Sequence, residues 1–102
     1  MQIPLRREYK PMITKKSKLK IRKEFSIKKP TIWIGKNGVT KEFIGQLLKQ
    51  FEKNEVVKVK ILKSFLKIHN TFEVSKKLIK QTDSTLIEIK GHNIILFRKR
   101  KI

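Results

Sequence analysis

The sequence predicts an α/β protein: a single small domain of order β-α-β-α-β-β, its mixed four-stranded sheet packed with helices, preceded by a basic N-terminal arm. Short β-branched runs bounded by turn residues recur along the chain, two apolar stripes of helical period separate them, and the last two runs meet at a turn containing glycine and asparagine. A length of 102 residues, 38% of them apolar, suits one domain with a modest core. It leaves no room for a cofactor domain beside a substrate domain, which excludes a two-domain enzyme.

Thr31-Ile32-Trp33-Ile34, bounded by Pro30 and Gly35, is the first strand and is expected to be buried. Trp33 and, near the other end of the domain, Phe97 are expected in the core, because few other large residues could fill it. After Gly35-Lys36-Asn37-Gly38, Thr40 is a good N-cap. Phe43, Ile44, Leu47, Leu48 and Phe51 then form a stripe roughly 140° wide on a helix ending near Asn54. Val57, Val59 and Ile61 alternate with Lys58 and Lys60, so the second strand has an apolar face and a basic one that should see solvent or phosphate.

The second helix is capped by Asn70 or Thr71 and sets Phe72, Val74, Leu78 and Ile79 opposite Lys76, Lys77 and Lys80. Strict alternation then opposes Thr85, Ile87 and Ile89 to Leu86, Glu88 and Lys90. The turn Gly91-His92-Asn93 leads into Ile94-Ile95-Leu96-Phe97, an antiparallel hairpin. Right-handed crossovers assemble these elements into one mixed sheet.

Charge narrows the function. Lys and Arg number 27 against 8 Asp and Glu, a formal +19, and a domain so charged repels itself unless it meets a polyanion whose counterions it releases. Residues 1–30 hold 11 basic and 2 acidic side chains together with all three prolines, so residues 1–28 are expected to be mostly an extended basic arm, and 29–102 the folded domain. Within the arm, Leu19, Ile21, Phe25 and Ile27 could dock as a strand or as a short helix. Lys15, Lys16 and Lys18 in the arm, and the run Arg98-Lys99-Arg100-Lys101 after the last strand, are candidate phosphate contacts.

Catalysis has little to draw on. There is no cysteine, His69 and His92 have no carboxylate or serine at a recognisable catalytic spacing, and the acidic residues show no cluster, so no enzyme activity, metal, cofactor or small-molecule substrate is expected. No apolar run approaches the roughly 18 residues of a spanning helix, so a cytoplasmic protein without membrane contact is expected.

The one motif is Gly35-Lys36-Asn37-Gly38, set between a strand and a helix. Glycines at both ends allow positive φ and close backbone approach. The amides of the loop and of the first helical turn are expected to point outward, unpaired, at the positive end of a helix dipole, and with Lys36 and Lys41 beside them they suit a phosphate.

Lys29 to Thr40, Val56 to Ile61, Ile89-Lys90-Gly91 and Ile95 to Arg98 resemble the landmarks of the CRM domain, the chloroplast RNA splicing and ribosome maturation domain of YhbY-type proteins. The likeness runs from Lys29 to Arg98. It implies a fold related to the C-terminal domain of translation initiation factor 3, RNA binding, and association with ribosomal RNA or its precursor, where neighbouring ribosomal proteins are further partners. It also implies that Gly35, Lys36, Asn37 and Gly38 face RNA, with Lys58 and Lys60 as companions. The family places a helix before the first strand, where this chain has the lysine-rich stretch Ser17 to Ile27. The alternative is a basic chromatin protein similar in fold to the Alba family, coating duplex DNA; the sequence offers no long hairpin arm for that role.

Overall fold

A computed structural model describes residues 15–63 and 70–99. Along the chain run α1 (Lys15–Ser26), β1 (Ile32–Ile34), α2 (Lys41–Lys53), β2 (Val56–Ile61), α3 (Thr71–Thr82), β3 (Thr85–Lys90) and β4 (Asn93–Phe97). From β1 onward this is the expected β-α-β-α-β-β order. The sheet order is β1-β2-β4-β3, with β1 parallel to β2 and β4 antiparallel to both its neighbours. The sheet is therefore mixed, as expected.

Local chemistry sets the helix starts. The Thr40 hydroxyl accepts the Phe43 amide at 3.0 Å, and the Asn70 side chain accepts the Glu73 amide at 2.7 Å, which decides between Asn70 and Thr71 as the cap of α3. Both helices cover one face of the sheet. Phe43, Leu47 and Phe51 of α2 and Val74 and Leu78 of α3 pack on Ile32, Ile34, Val57, Val59, Ile61, Ile94 and Leu96. Phe72 departs from the expected stripe: it is 58% exposed, with the Lys76 ammonium 5.4 Å from its ring centre.

Two further expectations about the strands fail. Strict alternation does not hold in β3, because a β-bulge between Leu86 and Glu88 inserts Ile87 as an extra residue. Beyond the bulge the sides exchange. Leu86 and Ile89 pack against the core, while Thr85, Glu88 and Lys90 pair with Phe97, Ile95 and Asn93 on the outer face. Trp33 and Phe97 also lie on the outer face, Trp33 being 53% exposed and Phe97 half-buried.

Within the segment expected to be mostly an extended arm, Lys15–Ser26 form a helix, one of the two forms left open for Leu19 to Ile27; the part before Lys15 lies outside the described residues. This helix crosses the outer face along the rung Lys58–Ile95–Glu88. Arg22 Nε meets Glu88 Oε1 at 2.8 Å, and at the other end Lys58 Nζ donates to the carbonyls of Phe25, Ser26 and Lys28 at 2.9, 3.2 and 2.8 Å. The end of a helix leaves carbonyls unpaired and partially negative, so an ammonium is a fitting partner there. Ile95, on the same rung, is buried. A short, lysine-rich helix with no fully buried residue of its own is thus fixed by partners far away in sequence.

Candidate nucleic-acid interface

Because α1 covers the middle of the outer face, the rung beside it stays open. Trp33 pairs with Lys60, Lys60 with Asn93, and Asn93 with Lys90, so these four residues cross all four strands on one face. At about 4.8 Å per strand the row is about 14 Å long. Trp33, Lys60 and Lys90 are exposed, whereas Asn93 is half-buried, and its Oδ1 is buried with no hydrogen-bond partner among the described residues. The glycine loop adjoins the Trp33 end of the row. A shallow depression of about 220 Å³ lies there, lined by Trp33, Lys36 and Asn37 on one side and by Glu42 and Gln46 of α2 on the other.

Within the loop the two glycines differ. Gly38 has φ 75° and is buried, and its amide donates to Gly35 O at 3.0 Å, closing a tight turn. The expectation of outward, unpaired amides therefore fails for Gly38, as it does for Phe43, whose amide is taken by Thr40. Gly35 has no positive φ, and a Cβ there would meet Leu62 Cδ1 at an ordinary 3.7 Å. Only Gly38 needs glycine conformation. Lys36 and Asn37 at the turn tip and Lys41 at the start of α2 are exposed.

Lys58 is the clear correction. It was expected beside Lys60 on a basic surface, yet it is only 7% exposed and its ammonium is engaged by three carbonyls. Burial pushes its pKa below the ordinary lysine value and Lys90 adds to the shift, while Glu88 opposes it. Lys58 holds the structure together; Lys60, one rung away, is the lysine that faces outward.

The remaining candidates do not converge on one spot. Arg98 continues β4 with its amide bonded to Glu55 O at 2.8 Å, so Arg98 and the exposed Lys99 lie beside the start of β2. The glycine loop lies beyond the far end of that strand, about 17 Å away along it. Lys15, Lys16 and Lys18 stand on the first turn of α1, Lys18 half-buried and the others exposed. Arg100 and Lys101 lie outside the described residues, as does His69. Sequence reading passed over Lys90 and Asn93 as site residues, because only the registers of three strand pairs bring them into line with Lys60.

Among the described residues no group of three His, Cys, Asp or Glu could hold a metal ion, and no helix is long and apolar enough to cross a membrane. The family model of the CRS1/YhbY (CRM) domain matches residues 13–98, which takes in α1 as well as the sheet. The chain belongs to the CRM domain family. This CRM domain is 32% identical over 101 residues to the probable RNA-binding protein MJ0652 of Methanocaldococcus jannaschii, covering 99% of the chain and 75% of the relative. It is 30% identical over 90 residues to the probable RNA-binding protein YqeI of Bacillus subtilis, covering 88% and 92% respectively. Its fold is similar to the solution structure of SAV1595 from Staphylococcus aureus, described as a candidate RNA-binding protein. That likeness has a TM-score of 0.65 and 28% identity, and covers 89% of this chain and 93% of the other.

Proposed function

We propose that this CRM domain binds folded RNA, with ribosomal RNA or its precursor as the partner, and acts in the cytoplasm as a ribosomal component or assembly factor beside ribosomal proteins. The reading is one of binding rather than catalysis. The observation that carries it is the basic surface running from the glycine loop across the outer face, where Lys36, Lys41, Lys60 and Lys90 are exposed against Glu42 beside the loop, and Glu88 of the outer sheet face is already paired with Arg22. Such a surface positions phosphates without reading sequence, which suits recognition of RNA by shape. The family, and the names of the two relatives, point to RNA rather than to the duplex DNA of the alternative reading.

Binding of a fragment of ribosomal RNA, measured across salt concentrations, tests this. Lys36, Lys41, Lys60 and Lys90 with Arg98 and Lys99 give about six phosphate contacts, for a log-log slope of roughly −4 to −5 and about three orders of magnitude in affinity between 50 and 200 mM salt. A slope shallower than about −2 overturns the electrostatic account. Gradient sedimentation of native lysate tests the ribosomal part. Cosedimentation with ribosomal particles or their precursors supports it, and migration with DNA refutes it.

A further inference from the structure

Resting on the RNA-binding reading, we propose that Trp33 is a stacking platform for one unpaired RNA base, with Lys36 and Lys60 holding the phosphates on either side of that nucleotide. Trp33 is the middle residue of a three-residue edge strand whose neighbours Ile32 and Ile34 are buried in the core. The pleat therefore turns it to the outer face, where a ring with an apolar body is 53% exposed. The helix on the outer face does not cover it. α1 is tied to the neighbouring rung by Arg22–Glu88 and by the three carbonyl bonds of Lys58, which leaves the rung of Trp33 and Lys60 open.

Charge selects the occupant. An exposed indole flanked by a lysine on the paired strand and another on the adjoining turn suits a ligand that is aromatic and anionic within a few ångströms, and a nucleotide is both. The depression beside the ring is open rather than cleft-like and has Asn37, Gln46 and Glu42 on its walls. The two amides can meet the edge of a base and the carboxylate can accept from a base's exocyclic amine, while Lys36 and Lys60 supply the positive charge for the phosphates. A paired duplex cannot present a base face there, so the site selects loops, bulges and single strands within folded RNA. A second copy of the chain, itself strongly basic, is a poor occupant of so basic a surface.

Trp33 is the sole tryptophan of the chain, so its fluorescence reports on this position alone. The full chain is titrated with an end-labelled RNA stem-loop and with the fully paired stem, following labelled-RNA anisotropy and tryptophan emission together. The stem-loop should quench the emission with the same midpoint as the anisotropy change, and the paired stem should bind with little quenching. Trp33→Ala should weaken stem-loop binding roughly 10- to 100-fold, whereas Trp33→Phe keeps most of the affinity. The thermal unfolding of each variant checks that it is folded. Stem-loop binding with emission unchanged at saturation, or wild-type affinity in a folded Trp33→Ala, overturns the stacking site while leaving RNA binding intact. Absence of any anisotropy change overturns both readings, and concentration-dependent burial of Trp33 without RNA assigns the surface to self-association instead.

Discussion

Replacing Lys58 by Met removes the ammonium and keeps an unbranched apolar stem, so the perturbation is the loss of three hydrogen bonds rather than a cavity. The bonds run to the carbonyls of Phe25, Ser26 and Lys28 at 2.9, 3.2 and 2.8 Å. At about 1.5 kcal/mol net for each charged bond the gross loss is about 4.5 kcal/mol. Two effects offset it: the half-exposed end of α1 can take water in exchange, and the cost of burying an ammonium disappears. We expect a net destabilisation of about 2–3 kcal/mol, a large share of a typical 5–15 kcal/mol stability and about 10–20 °C in Tm. Urea denaturation followed by circular dichroism gives the total, and native-state hydrogen exchange locates it. Protection should fall first in the α1 amides, with β2 and β4 affected less. A loss below about 0.5 kcal/mol with α1 protection unchanged would refute the reasoning that Lys58 is the clasp of this helix.

Further outcomes follow from the same geometry. The lowered pKa of Lys58 means that the folded protein releases this proton before the unfolded chain does, so between the lowered value and the ordinary ~10.4 the unfolded chain binds more protons and this group's contribution to stability rises with pH. The deficit of Lys58→Met should thus widen with pH across that window in paired denaturation curves; a narrowing would mean that the three carbonyls hold the proton more strongly than burial expels it. Lys36→Glu and Lys60→Glu should each weaken RNA binding several-fold and make the salt slope shallower by about one or more, whereas a folded Lys58→Met should leave that slope unchanged. Gly38→Ala should cost about 1–2 kcal/mol in chemical denaturation, because φ 75° is strained for any L side chain, and Gly35→Ala should cost less. Arg22→Ala should cost only about 0.2–1 kcal/mol by the same measurement, as its bridge to Glu88 is partly solvated.

What could be read in the sequence and what could not separate along a physical line. The strand of Ile32 and Ile34, the stripe of Phe43, Leu47 and Phe51, and the alternation around Val57, Val59 and Ile61 are legible because each buries its apolar residues at the period of its own backbone. The Thr40 cap is legible for the same reason, since its partner is three residues away. The bulge at Ile87 is not, because an extra residue in one strand is defined only against its partner. Nor is the choice of a helix for α1, which the sequence leaves open between strand and helix, because the partners that fix it, Lys58 and Glu88, lie more than 30 residues downstream. Trp33 and Phe97 are not legible either, because their aromatic bulk suits a core while the strand register sets them on the outer face, and the helical period of Phe72 does not show that it stands exposed beside Lys76.

The candidate site divides in the same way. Charge and the Gly35–Gly38 turn are local properties, and by themselves they determined that an anionic polymer is the partner to seek and that the strand-to-helix loop is a place to seek contact. Alternation also determined that Lys58 and Lys60 share a face, whereas the all-apolar run around Trp33 suggests a core position that the structure does not give it. Which of those outward residues is buried, and which is left for a ligand, depends on where α1 docks and on how four strands fall into register. Only the tertiary structure decided that Lys58 is taken up by helix-end carbonyls while Trp33, Lys60 and Lys90 line an open rung. A side chain's direction follows from its own backbone, but what stands in front of it is supplied by distant segments of the chain.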